Sequence, residues 1–183
     1  MIPAFMLPQT AKCNVWYVLS LSALINCNSS SKPWLLCSHL SDINAITAII
    51  QAQTALMYKH GCPSVIRHQL QQHIISMLDQ YLFNALLTYR ELCTFGNAIH
   101  MKITMAHFED WAKSYGKHID GYVRKGFQYT RQAMSVLVMD KTSLLEEDAR
   151  TDVCPNITLP QLFQLVSNFL PDEYVSACTV LLI

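Results

Sequence analysis

Charge is what this chain has least of. Asp, Glu, Lys and Arg make up 14% of its 183 residues, 13 cations against 13 carboxylates, where a soluble domain ordinarily carries about 25%. With no net charge there is no basic footprint from which counterions could be released, which argues against nucleic acid as a partner. β-structure is missing from the pattern as well. No run alternates strictly between apolar and polar residues with turn chemistry at its ends, and no hairpin dipeptide separates two β-like runs. Internal repeats and low-complexity tracts are absent too.

Signatures of catalysis are equally scarce. There is no GxSxG elbow, no HExxH pair and no CxxC pair. The seven cysteines, at 13, 27, 37, 62, 93, 154 and 178, are odd in number and scattered. They suit free, mostly buried thiols of a reducing compartment better than a disulfide framework. Gly121-Tyr-Val-Arg-Lys-Gly126 has the glycine spacing of a phosphate loop, but Phe127 and Gln128 follow it instead of a lysine and a hydroxyl. Cys93, His100 and His107 stand seven residues apart. Seven residues of helix rise about 10.5 Å, too far for ligands that each lie about 2.0–2.3 Å from one zinc ion. No catalytic residue, metal or cofactor is expected, and Cys93 is read as a small buried hydrophobe.

What is present is apolar surface at helical spacing. Hydrophobic residues make up 51% of the chain, and a domain of this length buries roughly 70% of its unfolded surface. Ile43, Ile46, Ile49, Ile50, Leu56 and Met57 form one stripe. Gly61 ends that helix and Pro63 opens the next, about Ser64 to Tyr89, whose wide apolar face marks it as central. Gly96 and Thr104 predict an interruption followed by a short helix from a Thr104 cap to Tyr115, closed by Gly116. A long helix over His118 to Asp140, kinked or starting late because of Gly121 and Gly126, comes next. Ser143-Leu-Leu-Glu146 and Thr158-Leu-Pro-Gln161 have capping-box form. The fold class is all-α, an elongated antiparallel bundle of helices of unequal length.

The first forty residues fit this pattern poorly, being broken by Pro3, Pro8 and Pro33. Val15 to Ile25 is apolar but too short for a bilayer span of about 20 residues, and it lacks the basic start and cleavage site of a signal peptide. The expected division is 1–40, an unassigned N-terminal segment, poorly ordered or foreign to the fold, and 41–183, the helical domain.

Taken together, several stretches resemble the dilute domain, the helical cargo-binding region of class V myosin tails. Leu82-Phe83-Asn84-Ala85-Leu86-Leu87 matches a family run ending in Leu-Phe-Asn before two leucines. Arg90-Glu91-Leu92-Cys93-Thr94-Phe95 stands where the family has a charged turn leading to Cys-Ser-Trp. The register holds from Cys93 to Trp111, where Phe108-Glu109-Asp110-Trp111 replaces Leu-Glu-Glu-Trp, and His100 and Lys102 replace Gln and Arg. Ile157-Thr158-Leu159-Pro160-Gln161-Leu162 and Gly61-Cys62-Pro63 match two further family segments. Departures at Gly96, Ala98, Thr104 and Ala106 leave the fold reading intact and bear on any partner contact made by those side chains.

The resemblance implies a non-enzymatic, cytoplasmic module, the distal lobe of a tail that links vesicles or organelles to actin-based transport. Its implied partners are vesicle or organelle adaptor proteins, Rab-type small GTPases and the remainder of a myosin heavy chain. An afadin-like junctional scaffold, binding Ras or Rap GTPases, is the second reading. Arg90, Lys102, Lys113 and Lys117 flank the specific segment and are candidate partner contacts. Leu82, Phe83, Leu86, Cys93, Phe108 and Trp111 are candidate core.

Overall fold

A computed structural model describes residues 43–172. The apolar stretch Val15 to Ile25, the rest of the first forty residues and the apolar end Val180 to Ile183 lie outside these described residues. The apolar stripe that begins at Ile43 folds as α1, Ile43–Lys59. Gly61, at φ 64, makes the turn, where a left-handed backbone favours the residue without a Cβ. Pro63 then precedes α2, Ser64–Thr88. The two helices run antiparallel: Gln71 Nε2 donates to Thr54 Oγ1 at 3.0 Å, and nearer the turn the Arg67 guanidinium lies 4.0 Å from the Tyr58 ring centre.

A short 3-10 turn, Arg90–Leu92, leads to α3, Phe95–Tyr115. The expected interruption at Gly96 and Thr104 is not there; α3 is one helix of 21 residues. Its cap is Thr94, whose hydroxyl accepts from Asn97 N at 3.1 Å. Gly96 falls in the first turn, where its N–H has no partner within the helix, and that N–H donates to Asp172 Oδ2 at 2.6 Å. Thr104 is mid-helix and half-buried.

Gly116 separates α3 from α4, Lys117–Gly126, and α5, Gln128–Val138, follows. The long helix expected over 118–140 is therefore two helices, broken at Phe127. The reason lies in α2. A Cβ at position 126 would run into the side chain of Ile75, so the chain approaches α2 at a glycine. One turn along α2, the Asp79 carboxylate accepts from Thr130 N at 2.8 Å and Tyr129 N at 3.2 Å. It supplies from another helix the N-terminal cap that Phe127, the residue before α5, does not provide.

A second 3-10 turn, Lys141–Leu145, precedes α6, Glu147–Val153. The Ser143 to Glu146 capping box does not form, because Asp140 caps the turn through Thr142 N and Glu146 makes no cap bond. At α7, Leu159–Ser167, Gln161 Oε1 accepts from both the backbone N–H and the hydroxyl of Thr158, each at 3.0 Å. The stretch after α7 straps the α2–α3 corner. Asn168 Nδ2 donates to Leu87 O at 2.9 Å, and Leu170 N to Cys93 O at 2.8 Å.

The fold is all-α, and among the described residues no strand occurs beyond an isolated bridge between Thr94 and Leu170. α2 divides the interior. Ile74, Ile75, Leu78 and Leu82 face a cluster with Phe108, Ile119 and Phe127; Phe83, Ala85 and Leu86 face a second with Leu137, Leu162 and Leu165. Each such large side chain contributes about 1.5–3 kcal/mol by leaving water.

Candidate partner-binding surface

Cys93 is fully buried, and its Sγ donates to Leu86 O at 3.0 Å. Burial, with the Glu91 charge second, pushes its thiol up to about 12, whereas a reactive cysteine needs an accessible thiolate. His100 and His107 lie on the exposed side of α3, away from Cys93. Gly121 and Gly126 both belong to helix α4 and form no loop that could cradle a phosphate. Among the described residues no three His, Cys, Asp or Glu side chains come together in a metal-binding group, and no helix is long and apolar enough to cross a membrane.

The candidate core residues Leu82, Phe83, Leu86, Cys93 and Phe108 are all buried. Trp111 is half-buried, stacked between Phe108 (ring centres 5.3 Å apart) and Tyr115 (5.1 Å), with its indole N–H enclosed and without a partner.

The four candidate contact residues do not form one patch. Arg90 is exposed in the 3-10 turn before α3, whereas Lys113 lies near the far end of that helix, roughly 30 Å away at 1.5 Å per residue. Lys102 and Lys113 stand eleven residues apart on α3, which returns them to nearly the same side, but Lys102 is half-buried. Lys113 and Lys117 do cluster, on either side of the Gly116 corner.

Arg124 and Lys125, also exposed, lie in the last turn of α4, about 10 Å along that helix from Lys117. Lys113 Nζ meets Asp110 Oδ1 at 2.7 Å, and Arg124 Nε meets Asp120 Oδ1 at 2.9 Å. The Lys113 hydrogen bond, then its charge, holds the Asp110 carboxyl below its usual value. The Asp120 hydrogen bond and charge raise the Arg124 guanidinium in turn. Such exposed pairs contribute little to stability and leave their cations within reach of a partner. Arg131, in α5, turns inward. It pairs with Glu109 at 2.6 Å and donates to the carbonyls of Arg124 and Val123, closing the end of α4.

Two buried charges escaped sequence reasoning. Asp79 is 2% exposed; its one sequence signal is that no other carboxylate occurs between Ile43 and Arg90. Lys141 is also buried. Its ammonium donates to Leu137 O and Met139 O, each at 2.8 Å, and lies 4.1 Å from the Phe169 ring centre. Burial holds it down to about 8, with Asp140 opposing. No pattern in the sequence marks that lysine as different from the exposed ones.

Comparison with known proteins joins these observations. Residues 69–173, more than half the chain, match the DIL domain. The chain is 27% identical over 135 residues to Myosin-15 of Arabidopsis thaliana, covering 73% of this chain and 9% of that protein. It is 28% identical over 104 residues to Myosin-H heavy chain of Dictyostelium discoideum (56% of this chain, 6% of that protein). With Protein OPAQUE1 of Zea mays it shares 30% identity over 113 residues (61% and 7%). It thus spans less than a tenth of the length of each of these relatives. By its helical bundle, by the match from α2 through Asp172 and by these relatives, the chain belongs to the DIL, or dilute, domain family, in the form found in myosin tails.

Proposed function

We propose that this chain is a non-enzymatic cargo- and adaptor-binding module, the distal lobe of a myosin V-type tail that links vesicles or organelles to actin-based transport. The observation that carries the proposal is the DIL match itself, which follows the packed bundle from α2 to the end of the described residues. It is supported by the exposed Lys113 and Lys117 on either side of the α3–α4 corner, which offer charge to a protein surface of opposite sign. The partners are vesicle or organelle adaptor proteins and Rab-type small GTPases. The functional unit is residues 41–183, working with the remainder of a myosin heavy chain in the cytoplasm. Lys113 and Lys117 make the principal contacts, with Arg90 and Lys102 at the margin.

Immobilised full chain should retain a vesicle adaptor or a GTP-loaded Rab-type GTPase. Lys113→Glu with Lys117→Glu should weaken that retention by about tenfold, equivalent to about 1.4 kcal/mol, without changing thermal stability. Retention of Rap-family and junctional proteins instead would favour the scaffold reading. Equal retention by the double variant would remove the α3–α4 corner from the interface.

A further inference from the structure

From Ile43 to Leu78 the chain contains no Asp or Glu, and the turn between α1 and α2 lies within that stretch. Three large apolar side chains are left in solvent there: Tyr58 is 63% exposed, Val65 61% and Ile66 50%. They form one tip rather than three separate sites. The Arg67 guanidinium rests on the Tyr58 ring and donates to Cys62 O, which draws the last turn of α1 onto the first turn of α2. Lys59 is exposed beside them.

A further cation arrives from the other side of the bundle. The rings of His68 and His118 are 4.3 Å apart at their centres, so the start of α4 sits against the start of α2, and Lys117 is the residue next to His118. Lys59, Arg67 and Lys117 take part in no ion pair among the described residues. The tip also lies before residue 69, outside the DIL match.

We propose that this tip docks on an anionic phospholipid surface. A helix-to-helix turn with exposed apolar side chains and cations beside them matches a bilayer interface, where an apolar layer lies under charged headgroups. Val65 and Ile66 enter the headgroup–acyl boundary, and Tyr58 lies at headgroup level with its ring apolar and its hydroxyl wet. Lys59, Arg67 and Lys117 face the negative headgroups, each cation being worth about a fivefold change in partition. The missing carboxylates are part of the inference, because each would be repelled by the same surface. A second exposed apolar pair, Leu159 and Phe163 on α7, has no Lys or Arg within the chain from Cys154 to Asp172 and serves as the internal contrast.

The test is sedimentation of the full chain with vesicles of phosphatidylcholine alone or mixed with phosphatidylserine. Binding is expected to the mixed vesicles only, and to fall as salt is raised. Val65→Ser with Ile66→Ser should weaken it by about tenfold or more, from lost apolar insertion. Lys59→Gln with Lys117→Gln should weaken it about 20-fold at low salt. Leu159→Ser with Phe163→Ser should leave it unchanged. Absence of sedimentation with the mixed vesicles overturns the proposal, as does equal loss in the α7 variant. Capture of an acidic helical peptide by the tip without vesicle binding overturns it too, and would make the surface a protein contact. Adaptor retention is measured separately on the Val65→Ser with Ile66→Ser variant, which keeps Lys113 and Lys117, so either activity can fail without the other.

Discussion

Replacing Asp79 with alanine removes the joint on which the middle of the bundle turns. The carboxylate is 2% exposed and accepts from Thr130 N at 2.8 Å and Tyr129 N at 3.2 Å, and α5 has no side-chain cap of its own. In Asp79→Ala two N–H groups of a helix start lose their acceptor inside the protein. Hydrogen bonds to a charged group contribute about 1.5–3 kcal/mol each, but the wild type also bears the cost of enclosing a charge, which the variant escapes. The balance is a loss of about 2–4 kcal/mol, at the upper end of what cap removal alone costs. For a chain of this size that lowers Tm by roughly 5–15 °C, measured by far-UV circular dichroism on heating. Asp79→Asn keeps the shape and one acceptor oxygen but aims an amide N–H₂ at the second donor, so its loss should fall about midway. If Asp79→Ala lies within about 0.5 kcal/mol of the wild type, the cap is not holding α5 and the explanation of the break at Phe127 fails.

Two glycines of α4 should respond oppositely to alanine. Gly126→Ala drives a methyl into Ile75 and should cost about 1–3 kcal/mol by overpacking; Gly121→Ala, whose Cβ meets nothing within 4 Å, should stabilise by about 0.5–1 kcal/mol, both read by chemical denaturation. Lys141 is held at about 8 in the fold against its ordinary 10.5, so the unfolded chain binds more protons between those values. Stability from this group should rise with pH from about 8 to 10.5 and be flat below, and the wild type minus Lys141→Met difference should show that slope, its absence counting against a buried ammonium. Thiol alkylation mapped by mass spectrometry should reach half-buried Cys62 before Cys93, whose thiol is pushed up to about 12, and early modification of Cys93 in the folded chain would contradict its placement.

Where sequence and structure agree, one local cause decides the outcome. Gly61 with Pro63 turns the chain, and Thr158 and Gln161, three residues apart, close the cap of α7 between themselves. They part where the cause is tertiary. Gly96 carries the composition of a break, yet its N–H is taken by Asp172, 76 residues away, and Thr94 had already capped the helix. Gly126 looked like a kink in one long helix and is a stop, for a reason that resides in Ile75 and Asp79. The Ser143–Glu146 pair is the exception, lost to a local competitor: Asp140, two residues before Thr142, takes the turn. Among the candidate contacts, the clustering of Lys113 with Lys117 follows from chain proximity. That Arg90 stands at the opposite end of α3 and that Lys102 is half covered required the packing.

The tertiary causes that act on α4 and α5 trace to successive turns of a single helix. Along α2, His68 meets His118, Ile75 meets Gly126, Asp79 meets Thr130, and Leu87 O accepts from Asn168. The first three pairings keep nearly the same sequence offset, which is possible only if α4 and α5 run parallel to α2 in fixed register. A slip of either helix by one residue would turn Asp79 away from the α5 amides and bring a side chain, in place of Gly126, against Ile75. Because the register is locked from within, Lys113, Lys117 and the α1–α2 tip are held at fixed distances from one another although no bond joins them at the surface. A domain with so few charges can therefore present them as a defined arrangement, and a partner or a lipid surface meets a rigid pattern whose geometry is set by Ile75 and Asp79.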